Sequence, residues 1–227
     1  MLFGLYYIPF ETEFYDIGSK IIGYDIIKNK HLKCLKEVNK KWVNEIEKYG
    51  FHMTITDAVT VDKNSLPFIE GKIYEILNCF SKNLEFTLSL NEISYWPNNP
   101  TQLAIRLKSN NNVEMLHNVL VSIIQILGSD SLYLDDLNKQ ITEGKIRYTL
   151  DQIKKIKMFY SPYIFEQFKP HFTLLNPFYG DECDREKVKE FILSKFDKPI
   201  NLSINKLIMV TKKDNDKFFK VHKIFNL

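Results

Sequence analysis

Arginine is scarce in this chain: Arg106, Arg147 and Arg185 stand alone among 31 basic residues, the rest being lysine. Against 28 acids the formal charge is +3, too small for the phosphate-tracking surface of a duplex-DNA binder but suited to an anionic small molecule or a short oligonucleotide. Cysteine is equally thin. Cys34, Cys79 and Cys183 are odd in number and scattered, with no CxxC pair and no histidine at metal-ligand spacing. That excludes a disulfide framework and a structural zinc site, and points to a reducing compartment. No apolar run approaches the ~20 residues that a membrane span needs. The opening stretch is apolar but lacks a basic flank and soon meets Pro9 and acids, so it reads as a strand and not a targeting segment. A cytoplasmic protein without a membrane partner is expected.

What is present is an ordinary globular composition with 14% aromatics, which excludes disorder, in 227 residues, enough for a sizeable core. Residues 2–9 read as a strand. The stripe Leu32, Leu35, Val38, Trp42, Val43 and Ile46 predicts a helix over 31–48, closed by Gly50. A strand over 51–61, a helix over 65–82, strands over 84–96 and 101–109 and a helix over 111–127 follow. Residues 128–160 are polar, with room for one or two short helices. A strand over 163–175, a helix over 184–196 and strands over 201–210 and 217–225 complete the reading.

The second half replays the first. Phe51-His52-Met53-Thr54-Ile55 is matched by Pro170-His171-Phe172-Thr173-Leu174, and the LSLNEI stretch at 88–93 by LSINKL at 202–207. An internal repeat of this kind predicts an α+β duplication. Its form would be a single bilobal domain with a pseudo-twofold, a first lobe over 1–127, a linker over 128–160 and a second lobe over 161–227. Each lobe would be an antiparallel sheet with helices on its outer face.

On a strand, residues two apart share a face, so His52 projects with Thr54, and His171 with Thr173. One HxT on an apolar strand is ordinarily structural; two copies in equivalent places of a repeat are not explained that way. Two facing His-Thr pairs suit phosphoryl transfer, since imidazole titrates near pH 6.5 and the pair can hold one base and one acid. The threonine hydroxyls can donate to non-bridging phosphate oxygens. No metal or other cofactor is needed. Lys169 would share the face of His171 and could hold a phosphate, while Tyr6 and Tyr163 could stack a base. His31 and His117 read as surface or capping residues, and Asp135-Asp136 as a solvated turn or helix cap. His222 could face the cleft from the last strand.

At these residues the chain resembles the two-histidine (2H) phosphoesterase superfamily, whose signature is a duplicated His-x-Ser/Thr between apolar residues. It looks most similar to a branch found near bacterial phosphonate-utilisation genes, through LYYIP at 5–9, GSKIIGYD at 18–25, YGFHMT at 49–54 and SPYIFEQFKPHFTL at 161–174. The resemblance implies a bilobal fold and metal-independent cleavage of phosphodiesters such as 2′,3′-cyclic phosphates or 2′-5′ linkages. It implies that His52 and His171 are the acid-base pair, and Thr54 and Thr173 the phosphate clamps. That branch often carries an arginine where this chain has Leu2, a cationic contact that is then either missing or supplied by Lys169. The partner expected is therefore a small phosphodiester or nucleotide, RNA ends included. The alternative is a nucleotide or RNA-end binding module with little turnover. Oligomeric state is left open.

Overall fold

The computed structural model describes residues 1–80, 83–196 and 198–227. In chain order the strands are β1 (Leu2–Tyr7), β2 (Tyr24–Asp25), β3 (Lys30–His31), β4 (Met53–Thr60), β5 (Thr87–Trp96), β6 (Asn99–Ser109), β7 (Asp130–Ser131), β8 (His171–Leu175), β9 (Asn201–Ser203), β10 (Lys206–Lys212) and β11 (Lys220–Asn226). The helices are α1 (Glu13–Ile22), α2 (Leu66–Cys79), α3 (Asn111–Ile123), α4 (Leu132–Thr142), α5 (Leu150–Phe159) and α6 (Glu182–Leu193). One sheet runs β11-β10-β1-β4-β7, a second runs β8-β6-β5-β9, and β2-β3 form a separate hairpin. Pairing is antiparallel in both main sheets. This is an α+β fold.

The sheets do not divide where the sequence suggested. Strands β10 and β11, from the end of the chain, join β1 and β4, whereas β5 and β6 join β8 and β9. Lobes over 1–127 and 161–227 are therefore corrected: each half of the chain contributes to both sheets. The reason lies in the repeated LSxN stretches. Leu88 pairs with Leu202 and Thr87 with Ser203, so the two copies meet in one sheet. Two residues further on, β10 has crossed into the other.

Local chemistry accounts for most elements. Helix α1 was not expected; Thr12 caps it by accepting from the Tyr15 N–H, and Gly23, at φ 85°, ends it. Its Gly18 lies against Phe51, where a Cβ would come within 2.4 Å of the ring. Asn110 caps α3 and Ser131 caps α4 in the same way as Thr12. For α2, the expected extension to 82 falls partly outside the described residues.

Two expectations need correcting. Residues 31–48 form no α-helix but loop with short 3₁₀ turns at Lys40–Trp42 and Glu47–Tyr49. Val38, Val43 and Ile46 are buried as the stripe implied, yet the local bonds close only single turns, and other N–H groups bond distant segments, that of Leu35 the Lys20 carbonyl and that of Glu45 the Asn176 carbonyl. The stripe recorded core contact, not helical bonding. The strand expected over 163–175 begins only at His171, preceded by a 3₁₀ turn at Phe165–Gln167. Pro170 has no N–H to donate to a ladder, and Phe165 takes a positive φ of 57°.

Strands β4 and β8 approach one another where the sheets meet. There Phe51 and Phe172 stack with centroids 4.7 Å apart, and Phe14 of α1 stands edge-on to both at 5.2 Å. Such pairs add about 0.5–1.5 kcal/mol each beyond burial. This aromatic floor sets the two His-x-Thr segments side by side.

Candidate active site

The two histidines are locked in the same manner. His52 Nδ1 lies 2.9 Å from the Gly50 carbonyl oxygen, and His171 Nδ1 lies 2.8 Å from that of Lys169. A carbonyl can only accept, so each Nδ1 carries the hydrogen and each Nε2 keeps its lone pair. Gly50 sits at φ 68°, ψ −178°, a conformation open essentially to glycine alone, and this aims its carbonyl at the ring two residues on.

The surroundings of the rings differ. Tyr6 stacks on His52 with centroids 3.8 Å apart and planes inclined by 22°. Trp96 stands edge-on to His171 at 5.1 Å and takes the Arg106 guanidinium over its own face at 4.8 Å. Thr54 Oγ1 lies 3.3 Å from His52 Nε2 and donates to it. Thr173 Oγ1 instead accepts from Gln102 Nε2 at 3.0 Å, which leaves its hydroxyl hydrogen to point elsewhere.

Both rings are half-buried, in a crowded cleft that disfavours charge. His52 is pulled down to about 4 by burial, with His171 adding to the effect and the Gly50 carbonyl opposing it. His171 is lowered by burial too, with Arg106 adding and the Lys169 carbonyl opposing. The cleft thus favours two neutral imidazoles.

Two adjoining cavities form the cleft. One, of about 430 Å³, is lined by His52, Thr54, Thr173 and Tyr6. The other, of about 680 Å³, is lined by His171, Thr54, Lys169 and Tyr163. The cavities share Thr54, Asp57 and Tyr133. All seven residues singled out in the sequence therefore meet in one cleft. Lys169 and Tyr163 are exposed at its edge, whereas Tyr6 is buried behind His52. Leu2 lines neither cavity.

Sequence reading missed Asp57, Tyr49, Tyr133 and Gln102. Asp57 is the instructive case. Strict alternation from His52 would turn it toward the core, but the register of β4 on β1 slips between Leu5↔Thr56 and Tyr6↔Thr54. That bulge re-aims the strand and brings Asp57 into the cleft beside Thr54. Its carboxyl accepts from the Ser161 hydroxyl, and burial raises its pKa against that bond. Asp136, expected as a solvated turn or cap, lies on α4, lines the first cavity and accepts from the Tyr148 hydroxyl at 2.8 Å.

His117 is likewise corrected from a surface or capping residue. It is 3% exposed, bonds through Nδ1 to the Ile55 carbonyl at 2.7 Å, and accepts the Phe165 N–H at 3.3 Å. It thereby ties β4 to the segment leading into β8. His222 does not face the cleft but pairs with Glu70 of α2 at 2.8 Å. Among the described residues no three His, Cys, Asp or Glu side chains converge as metal ligands would, and no helix is long and apolar enough to cross a membrane.

The fold and the cleft define a two-sheet α+β protein with a paired-histidine site. No protein-family model matches the chain, and no curated protein matches it. Among solved structures, E. coli LigT complexed with NADP+ is similar at 12% identity and a TM-score of 0.40, over 99% of this chain and 96% of that one. Kluyveromyces marxianus Usb1 is similar at 8% identity and a TM-score of 0.40, over 100% of this chain and 98% of that one. Likenesses this loose do not bear on function, which rests on the cleft itself.

Proposed function

We propose that this protein is a phosphodiesterase that cleaves a cyclic phosphate or a short nucleotide phosphodiester by acid-base catalysis between His52 and His171. The observation that carries the reading is the duplicated lock: two imidazoles, each fixed through Nδ1–H to the carbonyl two residues before it, so that each Nε2 keeps its lone pair, that of His52 under the Thr54 hydroxyl. A purely structural histidine pair has no need of that symmetry. The resemblance of the two HxT motifs to the 2H phosphoesterases agrees with it.

In the reaction one neutral Nε2 takes the proton of a water or a neighbouring hydroxyl as its oxygen attacks phosphorus. The P–O bond to the leaving oxygen breaks, and the second imidazole, protonated, gives its proton to that oxygen. The base ring has then gained the nucleophile's proton and the acid ring has lost its own to the leaving oxygen, and exchange with solvent resets the pair. The Thr173 hydroxyl, oriented by Gln102, donates to a non-bridging oxygen as charge grows there, and the Thr54 hydroxyl does so once it turns from His52 Nε2. Which ring is base follows from the side on which the leaving oxygen lies.

Because burial depresses both imidazoles, the singly protonated pair is richest below pH 6.5. The optimum of kcat/KM is expected there, while the bound phosphate anion favours imidazolium and moves the kcat optimum upward. The reading is tested by turnover of cyclic mononucleotides, 2′-5′ dinucleotides and cyclic dinucleotides in EDTA, with His52→Ala and His171→Ala alongside. Turnover lost in both variants supports it. Activity that a chelator abolishes, or that survives both substitutions, removes it.

A further inference from the structure

The two ends of the cleft differ in charge. The cavity at His52 is walled by Tyr6, Tyr49, Tyr133 and Tyr148 together with the carboxyls of Asp57 and Asp136, and among the described residues no lysine or arginine lines it. The cavity at His171 shares Asp57 and has Glu166, which Lys155 pairs, but it adds a cation, Lys169, with the amides of Asn98, Asn99 and Gln102 nearby.

Asp57 lines this cavity together with the Tyr6, Tyr49 and Tyr133 rings, and its charge adds to the burial that raises the pKa of each, at Tyr6 after the contribution of Tyr49. Asp136 is held by the Tyr148 hydroxyl and the Gln140 amide, and Arg147, largely exposed, approaches its outer oxygen at 3.6 Å. An anionic group entering this end would meet two carboxylates and no cation of the cavity wall. A group that offers O–H or N–H and a flat face would meet acceptors and aromatic rings.

We infer that the substituent of the phosphodiester lying on the His52 side is an uncharged nucleoside, its hydroxyl or amino hydrogens on Asp57, while any further phosphate extends past Lys169. This rests on the phosphodiesterase reading and adds to it a polarity: one end takes a neutral nucleoside, the other tolerates charge. The volume of about 430 Å³ lies within the range that encloses ligands of nucleoside size.

The test compares kcat/KM for a nucleoside 2′,3′-cyclic phosphate and for the same compound carrying a 5′-phosphate. In the wild type the added phosphate, placed among carboxylates, is expected to lower kcat/KM about tenfold at low salt and less at high salt. Asp57→Asn and Asp136→Asn should each shrink that ratio, and Lys169→Ala should not. Asp57→Asn keeps a carbonyl for Ser161, so the comparison survives if Asp136→Asn disturbs its network. A 5′-phosphate that is neutral or favourable in the wild type, or a penalty unchanged in both Asp variants, overturns the polarity while leaving the phosphodiesterase reading in place. No turnover of either compound, nor of the wider panel, removes both.

Discussion

The two His-x-Thr segments share a backbone solution and differ in everything that touches it. Each ring is fixed by a carbonyl two residues earlier, yet His52 has a tyrosine stacked on its face and its own threonine on Nε2, while His171 meets the edge of Trp96. Thr173 has an external support in Gln102 where Thr54 has none. The two segments share the lock, and what surrounds it makes two unlike ends. A symmetric pair would bind either end of a substrate alike; an asymmetric one can prefer a direction.

The largest expected effect tests what the halves share. His52→Ala and His171→Ala should each lower kcat by about a thousandfold, within the range for a general acid or base, with far-ultraviolet circular dichroism unchanged. Next come the clamps, where the halves part. Thr173→Val should cost about a hundredfold in kcat, as loss of a transition-state donor does, and Gln102→Ala a smaller part of that, by freeing the Thr173 hydroxyl to rotate. Thr54→Val has no such partner, so if Gln102→Ala proves as severe at Thr54-dependent steps, the proposed asymmetry of the clamps fails.

Acid should weaken the bridge between the halves. His117 and His52 are held neutral by burial, each down to about 4, against about 6.5 when unfolded. A histidine depressed in the fold contributes stability above its unfolded pKa and loses it as pH falls toward the folded value. Urea unfolding at pH 7 and pH 4.5 should therefore differ, His117 accounting for about 2–3 kcal/mol and the more exposed His52 for less. In His117→Gln this loss should shrink.

The smallest effect concerns Asp57. Its raised pKa means that the fold favours the protonated form, so the stability it contributes is lost as pH rises above the unfolded carboxylate value. Asp57→Asn should accordingly stabilise the protein by about 0.5–1 kcal/mol at pH 7.5, read as a rise in Tm, with no gain near pH 3.

Much of this was legible in the sequence. The two motifs, their shared face and most helices and strands follow from periodicity and from the repeat. What was hidden has identifiable causes. Asp57 was lost because a bulge changes the parity of β4, which no alternation rule foresees. Helix α1 was lost because Gly18, placed for Phe51 to approach, breaks the look of a helix. The loop over 31–48 shows the converse, a helical stripe whose backbone closes only single turns and bonds in part to other segments. The exchange of strands between sheets was hidden because LSxN repeats pair with each other instead of occupying equivalent places. Local pattern records which side chains are buried; partners distant in sequence decide the rest.

The central claim is that His52 and His171 act as one device. Turnover in EDTA by wild type, both single alanine variants and the double variant, on the best cyclic phosphate of the panel, tests it most directly. Groups that work as a unit are non-additive, so the double variant should be about as slow as either single one. Losses that multiply, or a single variant that keeps a tenth or more of wild-type kcat, would show two independent sites and contradict the account.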